Sequence, residues 1–330
     1  MQASSNIPTP PQLIEAWRKI SGQIHRTPLH SSRLLNEATG RSMQFKCENF
    51  QKTGSFKIRG VSHVLQNMEP GMLQRGIATH SSGNHAQAVA YAASLKRIPA
   101  YIVMPEDASP PKIEAVTGYG ASIYFCGPTI EDREHKIKEV LSATGANFIP
   151  PYDHPQIIAG QASATLELLE DYGPKQPDLI LVPVGGGGLS SGALLAATSA
   201  KEGPEVIGVE PQQADDALDS LRKGSIQPAR NKSTVADGLK TSLGELPFSI
   251  IQSRITDIAT VSESAIIEAM QLIWARMKLV VEPSGAVPLA ALLEQKIPDR
   301  YRHIALICSG GNLDLNHLPW QDSGSKPRNS

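Results

Sequence analysis

Lys57 stands in a run of small, aromatic and apolar residues, Gly54-Ser55-Phe56-Lys57-Ile58-Arg59-Gly60. Glycine and serine ahead of it suit a tight entry into a helix, and Phe56 and Ile58 make its surroundings apolar. Desolvation disfavours an ammonium, so a lysine held there gives up its proton readily and becomes a usable amine nucleophile. The plain alternative is the start of a surface helix. Ser81-Ser82-Gly83-Asn84-His85 falls between a predicted strand and a predicted helix. Such a junction offers unpaired N–H groups and the positive end of a helix, which suit an anion; the same residues also suit an ordinary N-cap.

Four consecutive glycines, Gly185, Gly186, Gly187 and Gly188, followed by Leu189, separate an apolar strand from a helix. Backbone without side chains approaches a phosphate closely, and the helix start adds a favourable dipole. Two nucleotide motifs are excluded. G-x-x-x-x-G-K-[ST] is absent, and the dinucleotide fingerprint needs glycine where position 190 is serine. Glu210 sits where a ribose-binding acid would sit, but the glycine spacing fails. Ser309-Gly310-Gly311-Asn312 ends the last apolar strand and, taken alone, reads as a turn. Glu210 to Asp216 supplies several hard oxygen ligands within seven residues. That suits magnesium or calcium, or else forms a solvated acidic loop.

These groups need elements to position them. Apolar spacing predicts a helix over 11–20, an extended segment over 25–29, a strand over 43–48 and a helix over 57–67. From residue 76, strands at 76–80, 100–105, 121–125 and 147–150 alternate with helices at 86–95, 111–116 and 129–143. Strands separated by helices of this length imply right-handed crossovers and a parallel sheet. The rhythm resumes with helix 160–170, strand 179–184, helix 190–200 and strand 206–210. A polar stretch over 212–246 carries no assigned element. Helices at 263–277 and 286–293 and a strand at 303–308 complete the pattern, and the polar tail after 320 is expected to be disordered.

A chain of 330 residues implies two lobes. With 31 basic and 32 acidic residues it has no electrostatic footprint for nucleic acid or an anionic membrane. Cys47, Cys126 and Cys308 are odd in number and far apart, which suits a reducing compartment and neither a disulfide framework nor a zinc cluster. The N-terminus lacks a signal-peptide pattern, and no apolar run reaches the length of a membrane span. A soluble cytoplasmic protein with a small-molecule partner is expected.

The four motifs, in this order, resemble those of the serine racemase and serine/threonine dehydratase family of pyridoxal-phosphate enzymes. The resemblance runs from the first helix to Asn312. It implies the two-domain α/β fold of the tryptophan-synthase-β type, each domain a mostly parallel sheet flanked by helices. Residues 1–76 and 152–330 would form the large cofactor-binding domain and 77–151 the small one. It makes Lys57 the covalent attachment point of pyridoxal 5′-phosphate and the base for the substrate Cα proton, with Phe56 beside it. Gly185, Gly186, Gly187, Gly188 and Leu189 would cup the phosphate, and Ser309 would bond the pyridine nitrogen. A hydroxyl cannot hold that nitrogen protonated as a carboxylate would, so eliminations and proton shuffles gain over transamination.

By the same resemblance Ser81, Ser82, Gly83, Asn84 and His85 grip the substrate carboxylate, and Asn84 faces the cofactor's phenolic oxygen. Ser82 stands where threonine dehydratases tend to carry alanine, and it would serve the second face of the substrate. Glu210, the Ala214 carbonyl and Asp216 match the divalent-cation loop of serine racemases, for Mg2+, Ca2+ or Mn2+. Arg133 would pair with the second carboxylate of a 3-hydroxyaspartate. Tyr152-Asp153 departs from the asparagine found near the cofactor in animal racemases. Lys52, Gln87, Tyr119, Lys278 and Asn312 match the positions that bind ATP at the dimer interface of those enzymes. The implied protein is a homodimeric serine racemase that also converts serine to pyruvate and ammonia. The alternatives are an L-threonine or 3-hydroxyaspartate dehydratase, or a regulator that binds pyridoxal phosphate or an amino acid without turnover.

Overall fold

The computed structural model describes residues 7–108, 110–199, 203–229 and 233–321; the tail expected to be disordered lies, from residue 322, outside the described residues. Alternating apolar segments and helices produce two sheets. The strands are β1 Leu29–His30, β2 Ser42–Cys47, β3 Ile77–His80, β4 Ala100–Pro105, β5 Ser122–Cys126, β6 Asn147–Phe148, β7 Leu179–Pro183, β8 Glu205–Pro211, β9 Asp257–Val261 and β10 His303–Cys308. The first helices are α1 Pro10–Ile20, α2 Arg33–Thr39, α3 Lys57–Gln66, α4 Pro70–Gln74, α5 Asn84–Lys96, α6 Pro110–Gly118 and α7 Ile130–Thr144. The later ones are α8 Pro155–Tyr172, α9 Gly188–Ala197, α10 Asp216–Lys223, α11 Glu245–Arg254, α12 Glu263–Leu272 and α13 Pro283–Leu293.

The larger sheet has the order β1-β2-β10-β7-β8-β9, and the smaller β5-β4-β3-β6. All pairings are parallel except β1 with β2. Every strand of the smaller sheet lies between residues 77 and 148, whereas the larger sheet draws on the chain before and after that block. The expected α/β fold with parallel sheets and flanking helices is the one found. Strand β7 is buried along its whole length, as are α9 and all of α13 but its last residue. Their near-continuous apolar sequences match burial on every side.

One buried polar cluster bears on Lys57. Two residues along α3, Arg59 is fully buried and its guanidinium bonds Glu48 on Nε at 2.6 Å and Glu167 on Nη1 at 2.9 Å. Lys46, equally buried, reaches Glu167 at 2.8 Å. Two cations and two carboxylates thus cancel where an unpaired charge would cost several kcal/mol, on the order of 3–5. The quartet locks α3 to α8 and to the end of β2.

Several assignments differ from the sequence reading. Helix α8 starts at Pro155, earlier than residue 160, because His154 caps it by accepting from Gln156 N–H and proline suits the first turn. The unassigned polar stretch holds α10 and the start of α11. Helix α10 is only eight residues long, and its apolar face of Ala217, Leu218 and Leu221 is interrupted by the buried polar Asp216 and Ser220. Helix α12 ends at Leu272 and passes into a π turn over Ile273–Met277, which Lys278 closes at φ 60°. Strand β9 and helix α2 were also unassigned.

Candidate active site

Lys57 opens α3, and its Nζ donates to the Pro151 carbonyl at 3.0 Å. The Phe56 ring lies 5.1 Å from that nitrogen. Desolvation pulls the Lys57 amine down to about 8, against the opposing pull of the Glu282 carboxylate. The segment before it is tied to the loop after β10: Phe56 N–H donates to Ser309 O at 3.1 Å, and Gly311 N–H to Gly54 O at 2.9 Å. Ser309 is buried, and its hydroxyl makes no hydrogen bond among the described residues.

The glycine loop leaves β7 and enters α9. Its N-cap is Gly187, at φ 88°, so no side chain caps the first N–H groups of α9. A Cβ on Gly186 would fall 2.3 Å from the Tyr152 ring, and one on Gly187 would fall 2.6 Å from Pro247. Residues with side chains are excluded there by contact as well as by conformation. The result is a backbone-lined cradle at a helix start, shaped for a tetrahedral anion.

Asn84, at the first turn of α5, joins the loops after β3 and β10. Its Nδ2 donates to Glu282 Oε1 at 2.8 Å, and its Oδ1 accepts from Asn312 Nδ2 at 2.8 Å. One Nδ2 hydrogen remains for the phenolic oxygen assigned to it. Burial, aided by the Asp237 charge, raises Glu282 to about 8. Ser81, Ser82 and Gly83 are half-buried, and the Ser82 hydroxyl makes no hydrogen bond among the described residues. The His85 ring faces inward: Nε2 donates to Ile149 O at 3.0 Å, and Nδ1 is buried without a partner. Burial, then the Lys57 charge, lowers this imidazole to about 3, so it is neutral. Its part in gripping a carboxylate is therefore confined to its backbone N–H. Arg133, on α7, donates through Nη2 to Pro128 O at 3.3 Å and leaves a buried Nε unpaired. Its charge, after burial, lowers the His80 imidazole.

The acidic loop lies at the end of β8. Both Glu210 oxygens accept backbone N–H groups of α10, from Ala217 at 3.1 Å and Leu218 at 3.0 Å. Both Asp216 oxygens are buried without a partner. Burial, then the Asp216 charge, holds Glu210 well above the ordinary carboxylate range. Burial, with Asp215 adding, brings Asp216 to about 7. Ala214 is buried beside them. Two carboxylates and a carbonyl in want of positive charge fit a hard cation. No cluster of three or more His, Cys, Asp or Glu side chains suited to a metal occurs among the described residues.

Of the positions matched to a nucleotide site, Gln87 and Asn312 line one cleft of about 230 Å³, with Lys112, Val280 and Leu315. Tyr119 packs edge-on to Tyr91 at 5.2 Å, and Lys278 Nζ donates to Ala275 O at 2.7 Å. Lys52 lies in a 3-10 turn before Lys57. None of these three lines the cleft. The sequence reading did not single out Glu282, Lys112 or Asp237, and it used Tyr152-Asp153 only as a departure. Lys112 and Asp237 form an ion pair between α6 and the turn at Asp237–Leu239. Lone charged residues in unremarkable surroundings carry no spacing signal, so these partners emerge only in three dimensions. Glu282-Pro283 at a helix start was the one local hint.

The segments that follow β2, β7 and β10 bring an amine nucleophile, a bare-backbone loop and a free hydroxyl into one α/β enzyme, at the edge where such sheets place ligands. A family model described as pyridoxal-phosphate dependent enzyme matches residues 20–310, and the chain belongs to that family. The serine racemase of Dictyostelium discoideum is 42% identical over 92% of this chain and 94% of its own length. The L-threo-3-hydroxyaspartate ammonia-lyase of Saccharomyces cerevisiae is 41% identical over 97% of this chain and 98% of its own. Among solved structures, maize serine racemase has a TM-score of 0.91 at 41% identity, with 96% of each chain covered. The cradle, the desolvated Lys57 and the unpaired Ser309 hydroxyl fit the cofactor of the family. No helix among the described residues is long and apolar enough to cross a membrane.

Proposed function

We propose that this chain interconverts L- and D-serine and, in the same site, eliminates water from serine to give aminoacrylate, which water then hydrolyses to pyruvate and ammonia. The carrying observation is the Ser82 hydroxyl, half-buried in the substrate loop and free of hydrogen bonds among the described residues. The cofactor, when bound, draws electrons from the substrate Cα and makes its proton removable. Lys57 would be its covalent holder, Gly185 to Leu189 its phosphate cup and Ser309 the partner of its ring nitrogen. Lys57 Nζ moves the Cα proton on one side of the substrate, and Ser82 Oγ moves it on the other. Return from the side of departure preserves configuration; return from the opposite side inverts it. N–H groups of the Ser81–His85 loop hold the carboxylate.

Glu210, the Ala214 carbonyl and Asp216 would hold Mg2+, which supports the fold near β8 without touching the chemistry. The reading includes a homodimer in the cytoplasm and leaves a nucleotide effector the cleft between Gln87 and Asn312. A second reading rests on the unpaired, buried Nε of Arg133. A guanidinium there suits the second carboxylate of 3-hydroxyaspartate, and one relative is named as an ammonia-lyase for that compound. The test is to incubate the magnesium-loaded enzyme with L-serine, L-threonine and L-threo-3-hydroxyaspartate, following keto acid and D-isomer together. D-serine formation supports the first reading; keto acid from 3-hydroxyaspartate alone supports the second. No product from any of them leaves a non-catalytic binder.

A further inference from the structure

The dipeptide Tyr152-Asp153, which joins the smaller sheet to α8, touches three parts of the site. Pro151, just before it, receives the Lys57 amine. Tyr152 forms one wall of the glycine loop, its ring against Gly186 and its Cβ and backbone against Gly188. A second wall comes from the start of α11, where Leu243 just before the helix and Pro247 in its first turn press on Gly187. Helix α11 has no side-chain cap of its own, since its N-cap is Gly244. Asp153 caps it from 92 residues away, with Oδ2 accepting from Glu245 N–H at 3.0 Å and Oδ1 from Leu246 N–H at 3.1 Å. Gly244 N–H in turn donates to Gly186 O, at 3.2 Å. A Cβ on Gly244 would fall 2.6 Å from the Asp153 Cβ, so glycine is what lets the carboxylate close on the helix.

We infer that Asp153 is a positioning residue for the phosphate cup: one carboxylate ties the Tyr152 wall to the α11 wall and so fixes the width of the glycine slot between them. It also occupies the first N–H groups of α11. A cap in this place stabilises the holding of phosphate as well as the helix. The inference rests on the assignment of Gly185 to Gly188 as the phosphate cup.

The test is the rate and extent of cofactor release from holoenzyme on dilution, for pyridoxal 5′-phosphate and for pyridoxal, which lacks the phosphate. Asp153→Ala is expected to weaken retention of the phosphorylated form about 2- to 30-fold, the range of a lost helix cap, and to leave pyridoxal binding unchanged. Asp153→Asn, which keeps one carbonyl acceptor, should fall between. Ser262→Ala removes the cap that accepts from Ala265 N–H on α12; it should lower the melting temperature without changing retention. Gly185→Ala, whose new Cβ meets Gly238 O at 3.1 Å, should also narrow the preference for the phosphorylated form. Lower melting with unchanged retention in Asp153→Ala would make it a plain helix cap and overturn the inference. An unchanged preference in Gly185→Ala would overturn the cup assignment itself.

Discussion

At the scale of the residue, the division of labour proposed for Lys57 and Ser82 makes the sharpest prediction. Inversion needs proton transfer on both sides of Cα, whereas elimination from L-serine needs only the lysine side. Ser82→Ala should lose D-serine formation by about 10²–10⁴-fold, the range for a positioned acid–base group, and keep most of its pyruvate production from L-serine. Chiral chromatography beside a pyruvate assay reads both; equal loss of the two would reduce Ser82 to a carboxylate ligand. Lys57 makes a pH prediction. Its amine is lowered to about 8 from 10.5 by desolvation, so between those values the unfolded chain binds a proton that the folded chain does not. The contribution of Lys57 to the stability of the cofactor-free protein therefore rises with pH across that window. Capture of pyridoxal phosphate, trapped with borohydride, should climb to a plateau just above pH 8, and Lys57→Ala should show neither effect. Lys57, Ser82 and the glycines were legible because each sits in a patterned run of small residues. Glu282 was not, since the Asn84 and Asp237 groups that define it are far off in sequence.

At the scale of the element, α10 marks where sequence reading failed and why. Amphipathic helices are found by an apolar stripe, but α10 is eight residues long and its stripe of Ala217, Leu218 and Leu221 is broken by the buried polar Asp216 and Ser220. The buried Asp216 is also one of the two carboxylates of the proposed cation site. The residues had been picked out as ligands while the helix carrying one of them had not been recognised. Magnesium that binds only the folded chain stabilises it by mass action, about 2.7 kcal/mol at a hundredfold excess over the dissociation constant. Added Mg2+ should thus raise the melting temperature of the wild type and not that of Asp216→Ala or Glu210→Ala, with the visible absorbance of bound pyridoxal phosphate retained in all three. A melting temperature indifferent to the cation in all three proteins would leave a buried acidic turn and no site.

At the scale of the whole molecule, the sequence rhythm was enough to recover alternating strands and helices and the block of the smaller sheet, because buried parallel strands are apolar throughout. It was not enough to say which side chains meet between the two sheets. The ion pair of Lys112 with Asp237 spans that gap, with side chains 24% and 44% exposed. A pair this open to water contributes at most about 1 kcal/mol. Lys112→Met should shift the urea midpoint slightly at low salt and not at all at 1 M salt, where the Debye length is about 3 Å; a large shift at both would assign the lysine to packing. The order of the larger sheet has a consequence for how the chain is made. Strand β10 is made after every other strand of its sheet, yet its place is between β2 and β7, in the interior. Until it inserts, both neighbours present open edges, and the loop that carries Ser309 does not exist. A nascent chain can thus shape the glycine loop early, yet it cannot complete the proposed cofactor site until β10 has emerged. The long interval with unpaired edges is when the chain is most exposed to aggregation.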